Sequence, residues 1–289
     1  MARRGLSDAG AELMSAIVEQ GVLPERIAGV GSRARGRRAG SAIRRGVIVP
    51  ATLLVLWQIT AARGLVSTLV LPAPVQVLEA LRQLAVSGAL ANGIAVSLRR
   101  LALGYGLGVA IGMPLGILLA VSPLARRLIA PSFNAIARVP LLAWIPFLMV
   151  LSGIGEALKL VVIAKAALTP ITLNTERAIL GVPKAWLELG RLLCLGPWPT
   201  IRRILLPATI LPVFVGLRFG LIQAWSALVV VELLASTNGL GFQLTMSRQL
   251  FQLDTMMALM VVIGVIGFGL DRGLVTTEAY LARRFGGRA

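Results

Sequence analysis

With 289 residues, of which 57% are hydrophobic and 14% charged, the chain is too apolar for an ordinary soluble domain, in which about a quarter of residues are charged. Its formal charge of +17, from 29 Lys and Arg against 12 Asp and Glu, gathers in stretches that flank apolar runs, as cytoplasmic segments of membrane proteins do. No aromatic residues interleave with the basic ones near the N-terminus, which argues against nucleic acid. With no His and Cys194 as the one cysteine, intrachain disulfides, Cys/His zinc sites, haem held by His and His-based acid–base catalysis are excluded. No catalytic residue, metal site or cofactor bound by this chain is expected.

Residues 1–45 read as a basic cytoplasmic tail. Leu6, Leu13, Met14 and Ile17 have helical spacing, and Arg33, Arg35, Arg37, Arg38, Arg44 and Arg45 come next in a stretch without periodicity. Two readings stand open: an interfacial helix drawn to anionic lipid, or a solvated tail that only sets topology.

Residues 46–289 read as one transmembrane domain. A bilayer core takes about 20 mostly apolar residues per helix, and on that ruler spans fall at 46–63, 96–121, 139–155, 157–175, 209–235 and 255–274. About six spans return the chain to its starting side. The basic loops 122–138 and 176–203, and Arg283, Arg284 and Arg288, then share the cytoplasmic side with the tail. Arg63, Arg82, Arg99 and Arg100 fall on or near the outer side, against that bias.

After the first span, Leu71-Pro72-Ala73-Pro74 leads into Val75, Leu78, Leu81, Leu84 and Ala85, the pattern of a short amphipathic helix on the outer surface. The next span carries Gly104, Gly108, Gly112 and Gly116. Glycine at every fourth position lets another helix approach to backbone contact, so this span is expected inside the bundle.

Three ionisable residues lie within later spans: Lys165, Arg218 and Glu232. An unpaired charge there costs about 2.5 to 3.5 kcal/mol by insertion scales, so each must face the bundle interior or find a partner. Lys165, too deep to snorkel, either lines a translocation path that favours an anion or pairs structurally, for instance with Glu232. Arg218 reads as structural. Glu232, near the outer end of its span, reads as a gating or pairing group. Glu156 and Lys159, spaced i,i+3, read as a weak surface pair.

The most informative stretch is the loop at 176–203 with the entry into the next span: Glu188-Leu189-Gly190-Arg191-Leu192-Leu193-Cys194, then Ile201-Arg202-Arg203-Ile204-Leu205-Leu206-Pro207. A polar, helix-compatible segment before a Pro-marked start of a span is a docking loop for a soluble partner, with a short helix expected over about 184–194.

This stretch resembles the EAA loop of binding-protein-dependent ABC importer permeases, in which Glu-Ala-Ala is followed after three residues by Gly and, nine residues on, by Ile-x-Leu-Pro. Glu188, Ile204, Leu206 and Pro207 stand in register. Leu189 and Gly190 replace the two alanines, and Cys194 takes the glycine position, with Gly196 two residues later. Cys tolerates a left-handed backbone far less well than Gly.

Further segments, in order over residues 71–275, resemble the nitrate, sulfonate and taurine group of these permeases. They are Leu71-Pro72-Ala73-Pro74, Ser97-Leu98-Arg99-Arg100, Gly112-Met113-Pro114-Leu115-Gly116, Gly153-Ile154-Gly155-Glu156, Asn174-Thr175 and Gly239-Leu240-Gly241-Phe242. The resemblance implies an all-α polytopic membrane protein with the type I ABC importer permease fold and a cytoplasmic coupling helix in the bacterial inner membrane. It further implies a second permease copy, expected as a homodimer, two cytoplasmic ATP-binding subunits and an external substrate-binding protein that hands over a small anion. The chain lacks G-x-x-x-x-G-K-[ST], so ATP and Mg belong on the partner subunits. An ion-driven secondary transporter is the alternative, but it would usually show internal repeats, and none is found.

Overall fold

The structure is a computed structural model that describes residues 35–63 and 71–285; most of the basic tail lies outside the described residues. The chain divides into two compact units at Arg63. In the first, helix α1 (Arg35–Ala62) runs through residue 45 without a break, and its apolar part is Ala51–Ala62.

In the second unit the described residues form helices α2 (Pro74–Val86), α3 (Ala89–Val121), α4 (Pro123–Arg138), α5 (Leu141–Ser152), α6 (Glu156–Leu180), α7 (Lys184–Leu192), α8 (Pro197–Thr200), α9 (Leu206–Ala235), α10 (Leu240–Gln249) and α11 (Leu253–Phe285). A π-helical turn, Ile201–Leu205, joins α8 to α9. Local chemistry sets several starts. Pro74 opens α2, where its missing N–H costs nothing, and the Ala73 N–H donates to the Gln76 side chain at 2.9 Å. Ser122 caps α4 by accepting from the Ala125 N–H at 3.2 Å. Arg126 reaches back to the carbonyls of Leu119 and Ala120, at 3.0 and 2.6 Å, which the end of α3 leaves open.

Three stretches are long and apolar enough to cross a membrane: α3, the run Pro197–Ala235, and α11 from Leu253 to Arg283. The pair α4–α5, bent by 102° at Val139-Pro140, makes a fourth only if taken as one broken span. Two expectations from hydropathy need correction. Residues 122–138 form a helix rather than a loop, and a ten-residue helix, α10, stands between the last two expected spans. In both, arginines and neutral polar residues offset the apolar ones, which hides a helix from a hydropathy ruler. α6 is the exception in the other direction. It bears Lys159, Lys165, Thr172 and Thr175, and three of these four are buried, because α6 is sheltered by protein.

That shelter comes from glycine on the two helices against which α6 packs most extensively, α3 and α9. Gly104, Gly108, Gly112 and Gly116 of α3 are all buried. A Cβ at Gly108 would stand 2.6 Å from the Ala167 Cβ, and one at Gly116 2.6 Å from the Thr172 carbonyl oxygen. The Thr172 hydroxyl uses this closeness to donate to the Gly112 carbonyl at 3.0 Å. From α9, Cβ atoms at Gly216 and Gly220 would meet Asn174 and Ile171 at 2.6 and 2.8 Å. Around these contacts Leu101, Ile163, Ala167, Ile171, Leu228 and Leu259 form the main core, and Ile145, Leu158, Val162 and Val231 a second one under α5.

Candidate functional site

Three constellations carry chemistry. The first is α7 and the turn beyond it. Glu188 and Leu189 are exposed on α7, whereas Gly190 is buried against Ile204 of the π-turn, whose Cδ1 would lie 2.9 Å from a Cβ at that position. α7 ends in a Schellman arrangement, with the Leu195 N–H on the Gly190 carbonyl at 3.0 Å and the Cys194 N–H on the Arg191 carbonyl at 2.9 Å. The residue that must turn left-handed is Cys194, with φ of 49°. Exposed Gly196 starts α8, Leu206 is exposed, and Pro207 sits in the first turn of α9. Trp186, Leu189, Leu192, Leu193 and Trp198 leave large apolar side chains exposed around this segment.

The second constellation is a buried ionic network at the Glu156 end of α6. Arg100 of α3, 3% exposed, donates from Nε and Nη2 to both oxygens of Glu156 at 2.9 and 2.6 Å. Its Nη1 reaches Glu232 of α9 at 2.7 Å, the Ser236 hydroxyl at 3.2 Å and the Asn238 carbonyl at 2.9 Å, and Nη2 also donates to the Asn238 side chain. Glu232, 1% exposed, accepts in addition from the Ser97 hydroxyl at 2.9 Å and the Gly241 N–H at 3.0 Å. Lys159 closes the set on Glu156 at 2.7 Å. At Gly239, with φ of 102°, a Cβ would fall 2.4 Å from the Glu232 carboxylate, so only glycine lets the loop pass so close. Glu156, one residue before the 157–175 span, is held down to about 2, chiefly by its hydrogen bonds from Arg100, with burial opposing.

Sequence reasoning discounts three of these four charges. Hydropathy treats Arg100 as a topology marker alone, and spacing makes Glu156 and Lys159 a weak surface pair; the structure corrects both, because Arg100 gathers the two glutamates from separate helices. One signal is available in the sequence: Ser97, Arg100, Gly104 and Gly108 recur every three or four residues, so Arg100 shares the packing face of the glycines.

The third constellation is a cavity of about 460 Å³ between the α4–α5 bend, α6 and α9. Lys165 lines it together with Arg138 and Arg177, and Thr169, Asn174, Gln223 and Ser226 supply neutral polar groups. The Lys165 ammonium stands 5.0 Å from the centroid of the Trp144 ring, an attraction that steadies the charge without neutralising it. Glu232 is not among the lining residues; its carboxylate faces Arg100. Arg218, on another face of α9, is bidentate on Asp271 of α11 at 2.7 and 3.1 Å.

The chain is similar to known proteins. Residues 112–282 match the family described as "Binding-protein-dependent transport system inner membrane component". A putative aliphatic sulfonates transport permease protein of Bacillus subtilis, SsuC, is 33% identical over 77% of this chain and 81% of its own. The taurine transport system permease protein TauC of Escherichia coli is 33% identical over 78% of this chain and 83% of its own. The nitrate import permease protein NrtB of a Synechocystis strain is 31% identical over 81% and 88%. Among solved structures, a chain of the inward-facing MetNI methionine ABC transporter superposes with a TM-score of 0.58 at 22% identity, covering 67% of this chain and 96% of that one, and so shares the fold. By this family match and these relatives, the chain belongs to the binding-protein-dependent transport system inner membrane components, the permeases of ABC importers.

Proposed function

We propose that this permease conducts a small anion, such as a sulfonate or nitrate, received from an external binding protein and driven by two cytoplasmic ATP-binding subunits that dock on α7. In this reading the permease works as a pair, as a homodimer, with both termini in the cytoplasm. The observation that carries the proposal is the continuity of one run of helix, Pro197–Ala235. Near one end its Ile204 abuts Gly190 of α7, in the middle Gln223 and Ser226 line the cavity, and at the far end Glu232 enters the ionic network. From Ile204 to Glu232 is about 42 Å at the helical rise. A push on α7 from closing ATPases therefore reaches the cavity wall through one continuous run of helix, and a bundle with two packings can convert that push into alternate openings.

The exposed apolar set from Trp186 to Trp198 gives α7 a surface suited to a protein partner, and Glu188 stands beside it. The cations of the cavity offset part of the dehydration cost of a passing anion, and weak, successive contacts let it leave again. Lys165 is the path residue in this account; Glu232 holds the far end in place.

The test is reconstitution of the complex with its ATPases and binding protein. Gly190→Val forces α7 away from Ile204, so ATP hydrolysis should continue while uptake per ATP falls. Uptake coupled as in the parent would refute the route through Ile204, and failure of the ATPases to copurify with the parent chain would refute the partner assignment.

A further inference from the structure

The three cations of the cavity have a property that sets them apart from the paired charges of the bundle. Arg100 and Lys159 are matched by Glu156 and Glu232, Arg218 by Asp271 and Glu278, and Arg126 by Glu176 at 3.9 Å. Among the described residues, Lys165, Arg138 and Arg177 are in no ion pair, and no carboxylate lines the cavity. Glu176, the immediate neighbour of Arg177 in sequence, turns to Arg126 instead. Lys165 is stacked on Trp144, which leaves its charge intact. The wall between Lys165 and Arg177, about 18 Å apart along α6, is largely apolar, with Ala166, Pro170 and Leu173 on one side and Val230 on the other.

We infer that the cavity is a station for a short organic anion and that it sorts solutes by total charge: an acid group with an apolar stem enters, and the zwitterion with the same acid group is held off. The acid group finds a cation at each stage from Lys165 to Arg138 and Arg177, and a short stem lies on the apolar wall. An ammonium on that stem meets positive charge that no carboxylate of the cavity wall offsets. This selectivity belongs to the permease itself. It rests on the import reading for its biological use but not for its measurement.

The experiment needs neither ATP nor a binding protein. In the assembled complex carrying Cys194→Ser, Ser226→Cys puts a thiol on the cavity wall and Ser87→Cys, at the exposed end of α2, serves as a reference. Rates of modification are compared for sulfonatoethyl methanethiosulfonate, an anion, and trimethylammonioethyl methanethiosulfonate, a cation. The anion-to-cation ratio at 226 should exceed that at 87 by about tenfold or more, as focused charge raises local counter-ion concentration. Lys165→Met should lower the ratio several-fold and Lys165→Arg should preserve it. Ethanesulfonate should slow modification at 226, and 2-aminoethanesulfonate should need about ten times the concentration to do so. Equal ratios at the two positions, a ratio indifferent to Lys165→Met, or equal protection by the two sulfonates would overturn the inference. Should Ser226→Cys fail to assemble, Thr169→Cys reports on the same cavity. A chain that labels as expected but does not couple to ATPases would refute the import reading and leave this inference standing.

Discussion

The two charged regions of the bundle obey opposite rules. At the Glu156 end of α6, two cations and two carboxylates are matched, Arg100 is 3% exposed and makes five hydrogen-bonded contacts to side chains and one to a carbonyl. At the cavity, three cations stand without a carboxylate. The first has each of its charges partnered within the protein, and the second leaves three cations without a carboxylate. Matched charge therefore serves architecture, and in the proposed function unmatched charge serves passage.

The sharpest way to break the comparison is to unmatch the first region. Glu232→Gln leaves Arg100 with half of its compensation, and removing one partner of a buried pair costs about 3–5 kcal/mol. Assembled, detergent-stable protein should fall steeply, with the midpoint of thermal unfolding as the measurement. Lys165→Met should not rescue it, since Glu232 bonds Arg100 and not Lys165. Gly108→Leu should come next. The Cβ alone would stand 2.6 Å from Ala167 and 2.8 Å from the Ala164 carbonyl, so α3 must withdraw from α6 at about 1–3 kcal/mol or more, and the loss should appear as reduced assembly without any change in charge.

Parts of this design are legible in the sequence, for physical reasons. A strict four-residue recurrence of glycine needs no tertiary knowledge to define a face, and the four glycines of α3 do lie against α6. The helix expected over 184–194 spans Lys184–Leu192, because a polar amphipathic segment between an unmistakable span and a Pro-marked one has few other ways to satisfy its backbone. The Arg100–Glu232 pair is not legible, since it joins residues 132 apart: Glu232 calls for a partner, but hydropathy treats Arg100 as a topology marker. Nor is the cavity, which depends on the 102° bend between α4 and α5 bringing Arg138 to the same space as Lys165 and Arg177.

Smaller effects sharpen the picture. Cys194 holds a left-handed backbone that costs a residue with a Cβ about 1 kcal/mol or more, so Cys194→Gly should raise thermal stability slightly and leave α7 in place, as read by unfolding of the purified chain. Glu156 supplies the pH dependence. Its carboxyl is lowered from an ordinary 4.5 to about 2, so its contribution is fully present above 4.5 and is lost as pH falls toward 2. The group is 60% exposed, and solvent screening keeps the effect small. Glu156→Gln should flatten the acid side of the stability profile over that interval and change little at neutral pH.

That matched charges hold the bundle and the unmatched Lys165 serves transport can be decided by uptake per assembled complex in Lys165→Met. Assembly and ATPase attachment should stay near normal, with uptake reduced about tenfold or more and partly kept in Lys165→Arg. Unchanged uptake per complex in Lys165→Met, or an assembly defect repaired by Glu232→Gln, would contradict it.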